Sequence, residues 1–242
     1  MKTNNVLAVV LAAGRGSRMK VDIPKQLVEV RMRPILTWIV DDFKSNSIDV
    51  ALVINPDEEN HFKDFKDIAH FVYQAVPKGT GHALIQALEI IKQYELVYVF
   101  VGDSPFVGQS TIKKMLEAHI KDSADCTIVS SDFKKSFPYA RVLRSDNGRV
   151  LGCIEEKNAN TFQKNIKELF CSHYLFNSSI IQKYIFKIDP DSDNQEIYLT
   201  DIINLLVQDR KKISVLKVDN WRRLVGLNTK EDVDWIESQD LS

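Results

Sequence analysis

Between Leu11 and Met19 the chain reads Leu-Ala-Ala-Gly-Arg-Gly-Ser-Arg-Met, and Pro24-Lys25 follows shortly after. Small residues let a backbone approach a ligand closely, and successive N–H groups can ring phosphate oxygens. Leu11, Ala12, Ala13 and Gly14 are therefore expected to cradle the phosphate end of a nucleotide. Arg15, Arg18 and Lys25 add three cations able to neutralise a triphosphate. Farther along, Gln74 carries an amide that can pair at once with the donor and the acceptor of a uracil edge. Asp103 stands just past an apolar run, and its carboxylate suits Mg²⁺, a hard cation that prefers oxygen ligands.

Each of these residues has a plainer local reading. The glycine loop can be an ordinary strand–helix turn, although the clustering of Arg15, Arg18 and Lys25 argues against that. A Rossmann dinucleotide loop needs a third glycine where Met19 stands, and the second strand ends near Asn55 without the usual acidic residue. A Walker loop needs a terminal Gly-Lys-Ser/Thr, which is absent. Gln74 alone would be a polar strand end. Thr80 alone would be the N-cap of a helix around Ala83, and Asn228 alone would cap the last helix. Glu155 alone would be an exposed carboxylate beside Glu156 and Lys157.

The elements that must position these groups follow from hydrophobic periodicity. Val6–Leu11 is a continuous apolar run, as expected of a strand covered on both faces. Apolar residues at helical spacing predict a helix over 34–43, and Val50–Ile54 reads as a second buried strand. A third is expected over 71–74, a helix over 83–91 and a strand over 96–101. This alternation implies an α/β fold with a doubly wound, mostly parallel sheet, whose ligands bind at the carboxyl ends of strands. From Asp125 to Asn177 short strands and turns such as Ser145-Asp-Asn-Gly148 predict a smaller antiparallel lobe. A helix over 198–209, a strand over 213–218 and a closing helix over 230–238 complete one expected domain, 1–242.

Composition narrows the class. Of 242 residues, 32 are Lys or Arg and 33 are Asp or Glu, so the net charge of −1 argues against a broad nucleic-acid platform. The three cysteines form no CxxC pair and the five histidines no metal-ligand spacing. A reducing cytoplasm fits. The first apolar run is too short for a membrane span and lacks a cleavage region, so no membrane partner is expected.

The segment from Leu11 to Met19, with Pro24-Lys25, resembles the signature of the sugar nucleotidyltransferases. It is most similar to the uridylyltransferase domain of bacterial UDP-N-acetylglucosamine pyrophosphorylases. Further matches run in order: Gln74 to Ala83, containing Gly-Thr-Gly-His-Ala; Gly102-Asp-Ser-Pro105; Glu155-Glu-Lys-Asn-Ala159; Tyr198-Leu-Thr-Asp201; and Gly226-Leu-Asn228. The resemblance implies that Gln74, Gly79 and Thr80 contact the nucleoside, and that Gly102, Ala140 and Glu155 face the sugar phosphate. It also implies that Asp103 and Asn228 hold magnesium. Lys25 would offset charge at the α-phosphate, and Arg18 and Arg15 would stabilise departing pyrophosphate. The substrates would be a nucleoside triphosphate, UTP by the Gln74 match, and a sugar 1-phosphate.

Two departures bear on the sugar. The family's Tyr-Gly-Arg is Tyr139-Ala140-Arg141 here, and its Asn-Thr-Gly is Phe170-Cys171-Ser172. Ala140 and Phe170 would make the sugar pocket smaller and less polar, so a sugar other than N-acetylglucosamine is expected to react faster. The sequence also stops where the bifunctional enzymes begin a left-handed β-helix, so acetyltransferase activity and its trimer are not expected. Pro24-Lys25-Gln26 resembles cytidylyltransferases acting on methylerythritol phosphate, which keeps a cytidylyl transfer to another phosphorylated sugar or alcohol as an alternative. A silent sugar-nucleotide sensor is a second alternative, although a pure binder needs neither Lys25 nor Asp103.

Overall fold

The computed structural model describes residues 5–14, 16–19 and 21–241. Its strands are β1 (Val6–Leu11), β2 (Glu29–Val30), β3 (Arg33–Pro34), β4 (Asp49–Ile54), β5 (His70–Tyr73), β6 (Leu96–Val101), β7 (Cys126–Asp132), β8 (Ala140–Arg144), β9 (Val150–Ile154), β10 (Glu168–Asn177) and β11 (Ile213–Lys217). Its helices are α1 (Ile35–Lys44), α2 (Thr80–Gln86), α3 (Leu88–Ile91), α4 (Gln109–Asp122), α5 (Thr161–Lys164), α6 (Ser178–Tyr184), α7 (Asp201–Gln208) and α8 (Lys230–Glu237).

Every residue of β1 is buried, because the strand lies inside the main sheet and both of its faces are covered. Val6, Ala8 and Val10 face a core closed by α1, α4 and α8. Leu7, Val9 and Leu11 face a second core closed by α2, α3, α6 and α7. This two-sided burial is what an unbroken apolar strand encodes. The main path runs β5-β4-β1-β6-β10-β7-β11. All pairings along it are parallel except the two made by β10, which is antiparallel to both β6 and β7.

The antiparallel lobe is continuous with this sheet rather than set beside it. The C-terminal half of β10 pairs with β6, while Leu169 and Phe170 pair with Arg141 and Ala140 of β8, which in turn pairs with β9. A register shift between Phe170 and Tyr174, with Ser172 at φ 59°, bends β10 between its two sets of neighbours. The expected helix over 83–91 starts earlier, at Thr80, and breaks at Ala87. That over 198–209 starts later, at Asp201, because the backbone N–H of Leu199 donates to Thr80 Oγ1 at 3.0 Å. Among the described residues no helix is long and apolar enough to cross a membrane. The three cysteines are free and buried.

Phe170 points into a core, not into a ligand pocket. It is 1% exposed, its ring meets Tyr174 edge-on at 4.8 Å, and it pairs across the strands with the small Ala140. The two departures from the family pattern are therefore complementary packing changes, a large residue opposite a small one. Their expected effect on the polarity of a sugar pocket is corrected accordingly: neither side chain reaches the cavity described below. Phe170→Asn should leave a cavity and an unpaired amide inside a core. An expected loss of about 3–5 kcal/mol follows, to be read from denaturant unfolding; unchanged stability would place Phe170 at a surface instead.

His173 is fully buried with neither ring nitrogen hydrogen-bonded, and it packs edge-on against Phe100 at 4.6 Å. Burial pushes its pKa down from 6.5 to about 4. Between those values the unfolded chain binds a proton that the folded chain refuses, so stability rises with pH across this window. Acidification from pH 6.5 to 4 should cost about 3 kcal/mol from this group alone. In His173→Phe the pH dependence of unfolding should flatten by that amount; an identical profile would show that the ring is not held neutral.

Candidate active site

The carboxyl ends of β1 and β6, together with the residue after β5, open onto a cavity of about 650 Å³. Leu11, Ala13, Gly14, Arg18, Lys25, Gln74, Gly79, Thr80, Gly102, Asp103 and Asn228 all line it. The fold thus brings together the glycine loop, Gln74 and both expected metal ligands, which are spread over more than 200 residues of sequence. Ala12 is fully buried beneath the loop. Arg15 lies outside the described residues. Ala140 is buried in the core, and Glu155 stands off the cavity wall.

Lys25 is the centre of the charged end. Its Nζ donates to Asp103 Oδ2 at 2.6 Å and to Asn228 Oδ1 at 2.9 Å. Arg18 donates to the same Asn228 oxygen at 3.0 Å. Asp103 and Asn228 therefore turn oxygens onto a common point between them. The Asn228 amide is oriented from its other side, since its Nδ2 donates to the Gly226 carbonyl at 3.3 Å. Helix capping does not occupy Asn228. Thr229 caps α8, accepting from the Asp232 N–H at 3.1 Å while the Asp232 carboxylate accepts from the Thr229 N–H at 2.9 Å.

The chain next to Asn228 is pressed onto Asp103. The Leu227 N–H donates to the Asp103 carbonyl at 2.8 Å, and Tyr139 Oη accepts from the Gly226 N–H at 2.9 Å. A Cβ on Gly226 would come within 2.8 Å of Asp103 Oδ1, so only glycine fits between these two site segments. Burial raises the Tyr139 phenol well above its ordinary pKa, which keeps the hydroxyl neutral as the anchor.

At the other end Gln74 is 3% exposed, and its Nε2 lies 2.7 Å from His82 Nδ1 and 3.4 Å from the Gly79 carbonyl. Gly79 has φ +92°, a backbone region that favours glycine, and a Cβ there would meet the Ile197 carbonyl at 2.5 Å. The Gly81 N–H donates to that carbonyl at 2.8 Å, and the Ile197 N–H donates to the Lys78 carbonyl at 2.9 Å. The loop before α2 and the segment before α7 are thereby clasped together, and the Thr80 hydroxyl serves this clasp rather than its own helix.

At the end of β9, burial holds the Glu155 carboxyl above its usual range, opposed by a hydrogen bond from Thr200. Arg141, 2% exposed, forms an ion pair with the adjacent Glu156 and donates to the Tyr139 carbonyl. Lys157 bonds Asp191 at 2.6 Å and lies over the Tyr198 ring at 4.5 Å, tying this strand end to the loop that carries Glu196. Glu196 and Gln26 also line the cavity, Gln26 known from the sequence only as part of Pro24-Lys25-Gln26 and Glu196 not at all. Gln26 adjoins Lys25 and packs on Gly102, so its neighbours could have found it; for Glu196 only its nearness to Tyr198 was a signal.

A family model for the MobA-like NTP transferase domain matches residues 8–169, which takes in the glycine loop, Lys25, Gln74 and Asp103. Among curated proteins the chain is 32% identical over 227 residues to the bifunctional protein GlmU of Acetivibrio thermocellus, covering 93% of this chain and 49% of that protein. It is 31% identical over 223 residues to GlmU of Acholeplasma laidlawii, covering 91% and 48%. The chain thus spans about half the length of the curated relatives it matches. Among solved structures, one described as a glucose-1-phosphate thymidylyltransferase from Bacillus anthracis, in complex with a sucrose, aligns with a TM-score of 0.76. At 17% identity, covering 98% of this chain and 97% of that one, it is a likeness of fold. With the matched region holding the loop, the lysine and the aspartate of the cavity, the chain belongs to the MobA-like NTP transferase domain family and is a nucleotidyltransferase.

Proposed function

We propose that this chain transfers a uridylyl group from UTP to a sugar 1-phosphate and releases pyrophosphate. One observation carries the reading: a single cavity holds an amide suited to a base at one end and Lys25, Arg18, Asp103 and Asn228 at the other. The likeness to the uridylyltransferase half of longer relatives supports the choice of substrates.

The chemistry joins two anions. An ionised oxygen of the sugar phosphate forms a bond to the α-phosphorus, and the bond from that phosphorus to the bridging oxygen of pyrophosphate breaks. The nucleophile carries its charge beforehand, so no side chain has to remove a proton. What the protein must supply is alignment and positive charge. Lys25 and Arg18 bring cations to the cavity, and the backbone from Leu11 to Gly14 brings close approach. On polyphosphate binding Lys25 is poised to exchange its contact with Asp103 for a phosphate oxygen.

Asp103 and Asn228 fit magnesium, because two oxygens that converge on one ammonium can converge on a hard cation, which takes its other ligands from phosphate and water. When bound, the ion would neutralise phosphate charge and fix the triphosphate's orientation. On the acceptor side the family resemblance supports Glu155, half-buried beside Thr200 and off the wall of the cavity, as a contact for sugar hydroxyls.

Pyrophosphate release measured across a matrix of nucleoside triphosphates and sugar 1-phosphates tests the whole reading; no turnover with any pair would overturn it. Lys25→Ala should lower kcat more than about tenfold, roughly 1.4 kcal/mol of barrier, with a smaller change in nucleotide affinity. An unchanged kcat would remove Lys25 from the chemistry. EDTA should abolish turnover and Mg²⁺ restore it, and Asp103→Ala should be inactive with its melting transition retained. Full activity in chelator would exclude the metal role of Asp103 and Asn228.

A further inference from the structure

Resting on the reading that a nucleotide base lies against Gln74, we infer that His82 is a positioning residue that turns the Gln74 amide so that the cavity presents an acceptor, Oε1, to the base. Gln74 Nε2 lies between two groups, Gly79 O at 3.4 Å and His82 Nδ1 at 2.7 Å. A carbonyl can only accept, so the atom facing Gly79 is the nitrogen of the amide and not its oxygen. The short contact to His82 is then an N–H donated to the lone pair of Nδ1. That fixes the imidazole as the neutral tautomer with its proton on Nε2. Gln86 Nε2 lies 3.3 Å from that Nε2 and 3.4 Å from the His82 carbonyl. Gln86 is exposed, so its amide can turn its oxygen to the ring and leave the carbonyl to solvent, whereas the buried Gln74 with its shorter 2.7 Å contact decides the tautomer.

With its two N–H groups directed at Gly79 and His82, the amide has one group left for a ligand, and that group is an acceptor. A base that presents ring N3 to Gln74 must therefore present an N–H there. Uracil and thymine do so; cytosine presents a lone pair, and two acceptors would face each other without water. Leaving a buried polar group unpaired is the kind of mismatch on which a site discriminates strongly. The neutral state that His82 needs agrees with its surroundings: partial burial lowers its pKa, and the nearby Lys78 ammonium lowers it further. The histidine acts on the base only through Gln74 and is not itself a catalytic residue.

This assigns a specific consequence to a residue that touches no substrate. Removing the acceptor at Nδ1 frees the amide to turn its N–H groups into the cavity, where cytosine can use one. The experiment compares kcat/KM for UTP and CTP, with one fixed sugar 1-phosphate, in the wild type, His82→Leu and His82→Asn. The wild type should prefer UTP. His82→Leu should narrow the UTP:CTP ratio at least tenfold, mainly through KM, with kcat for UTP less affected. His82→Asn, whose side-chain oxygen can take the place of Nδ1, should keep most of the preference. His82 is only partly buried, so the replacements should fold; if the leucine variant does not, His82→Met is read in the same way. A wild-type preference for CTP, or a His82→Leu protein that keeps the UTP preference undiminished, overturns this inference while leaving the transferase reading intact. Absence of turnover with every triphosphate overturns that reading and this inference with it.

Discussion

The ion pair between Lys25 and Asp103 organises the charged end of the cavity, and much of the surrounding packing serves to hold its two halves in place. Both side chains are only 14% exposed, so each charge has left most of its water. A pair buried to this extent is weak evidence for stability, because desolvation offsets a large part of the attraction. Its placement makes more sense as a state of readiness. A cavity that gathers cations would repel itself unless it also held negative or carbonyl oxygens. Asp103 and Asn228 supply those oxygens.

Holding that arrangement requires contacts closer than side chains permit. Gly226 lies against the Asp103 carboxylate and Gly79 against the backbone of Ile197, and a Cβ at either would enter another atom's space. These glycines fix distances rather than provide freedom. Gly226 sets the spacing between Asp103 and Asn228, with the neutral Tyr139 hydroxyl anchoring its backbone. Gly79 sets the spacing between the base-side loop and the segment 196–200, which leads to Thr200 and Glu155. The loop before α2 and the segment before α7 are thereby joined by two backbone hydrogen bonds and one to the Thr80 hydroxyl.

That Leu11 to Lys25 and Asp103 would meet at strand ends was legible in the sequence because the signals are local. A buried strand followed by small residues and cations announces Leu11 to Lys25, and Asp103 sits directly after another strand. Long-range placement was less legible. The Thr229-Lys-Glu-Asp232 run is a capping-box pattern that made Thr229 one of two candidate caps, but no local pattern shows that the neighbouring asparagine reaches Lys25. The α4 helix, with only Thr111, Ile112, Met115 and His119 buried, has too short an apolar stripe to stand out by periodicity. The antiparallel lobe was recognisable from its turns, but its continuity with the main sheet depends on β10 changing partners at a bulge, which no local pattern records. Phe170 was misread for the same reason: its neighbour Ala140 is 30 residues away in sequence and directly opposite in space.

That exchange of partners along β10 also separates the packing around Glu155 from the packing around Asp103. The C-terminal half of the strand is locked into the main sheet against β6, whose end carries Gly102 and Asp103. Its N-terminal half belongs to the lobe with β8 and β9, whose end carries Glu155. The bulge near Ser172 separates the two halves, so a change such as a phenylalanine opposite an alanine is absorbed within the lobe core. Its effect can reach Glu155 through β8 and β9, whereas Asp103 is braced independently by Leu227 and Gly226. The lobe core thus positions the strand end that carries Glu155, a property of buried packing separate from the contacts that hold the charged end of the cavity.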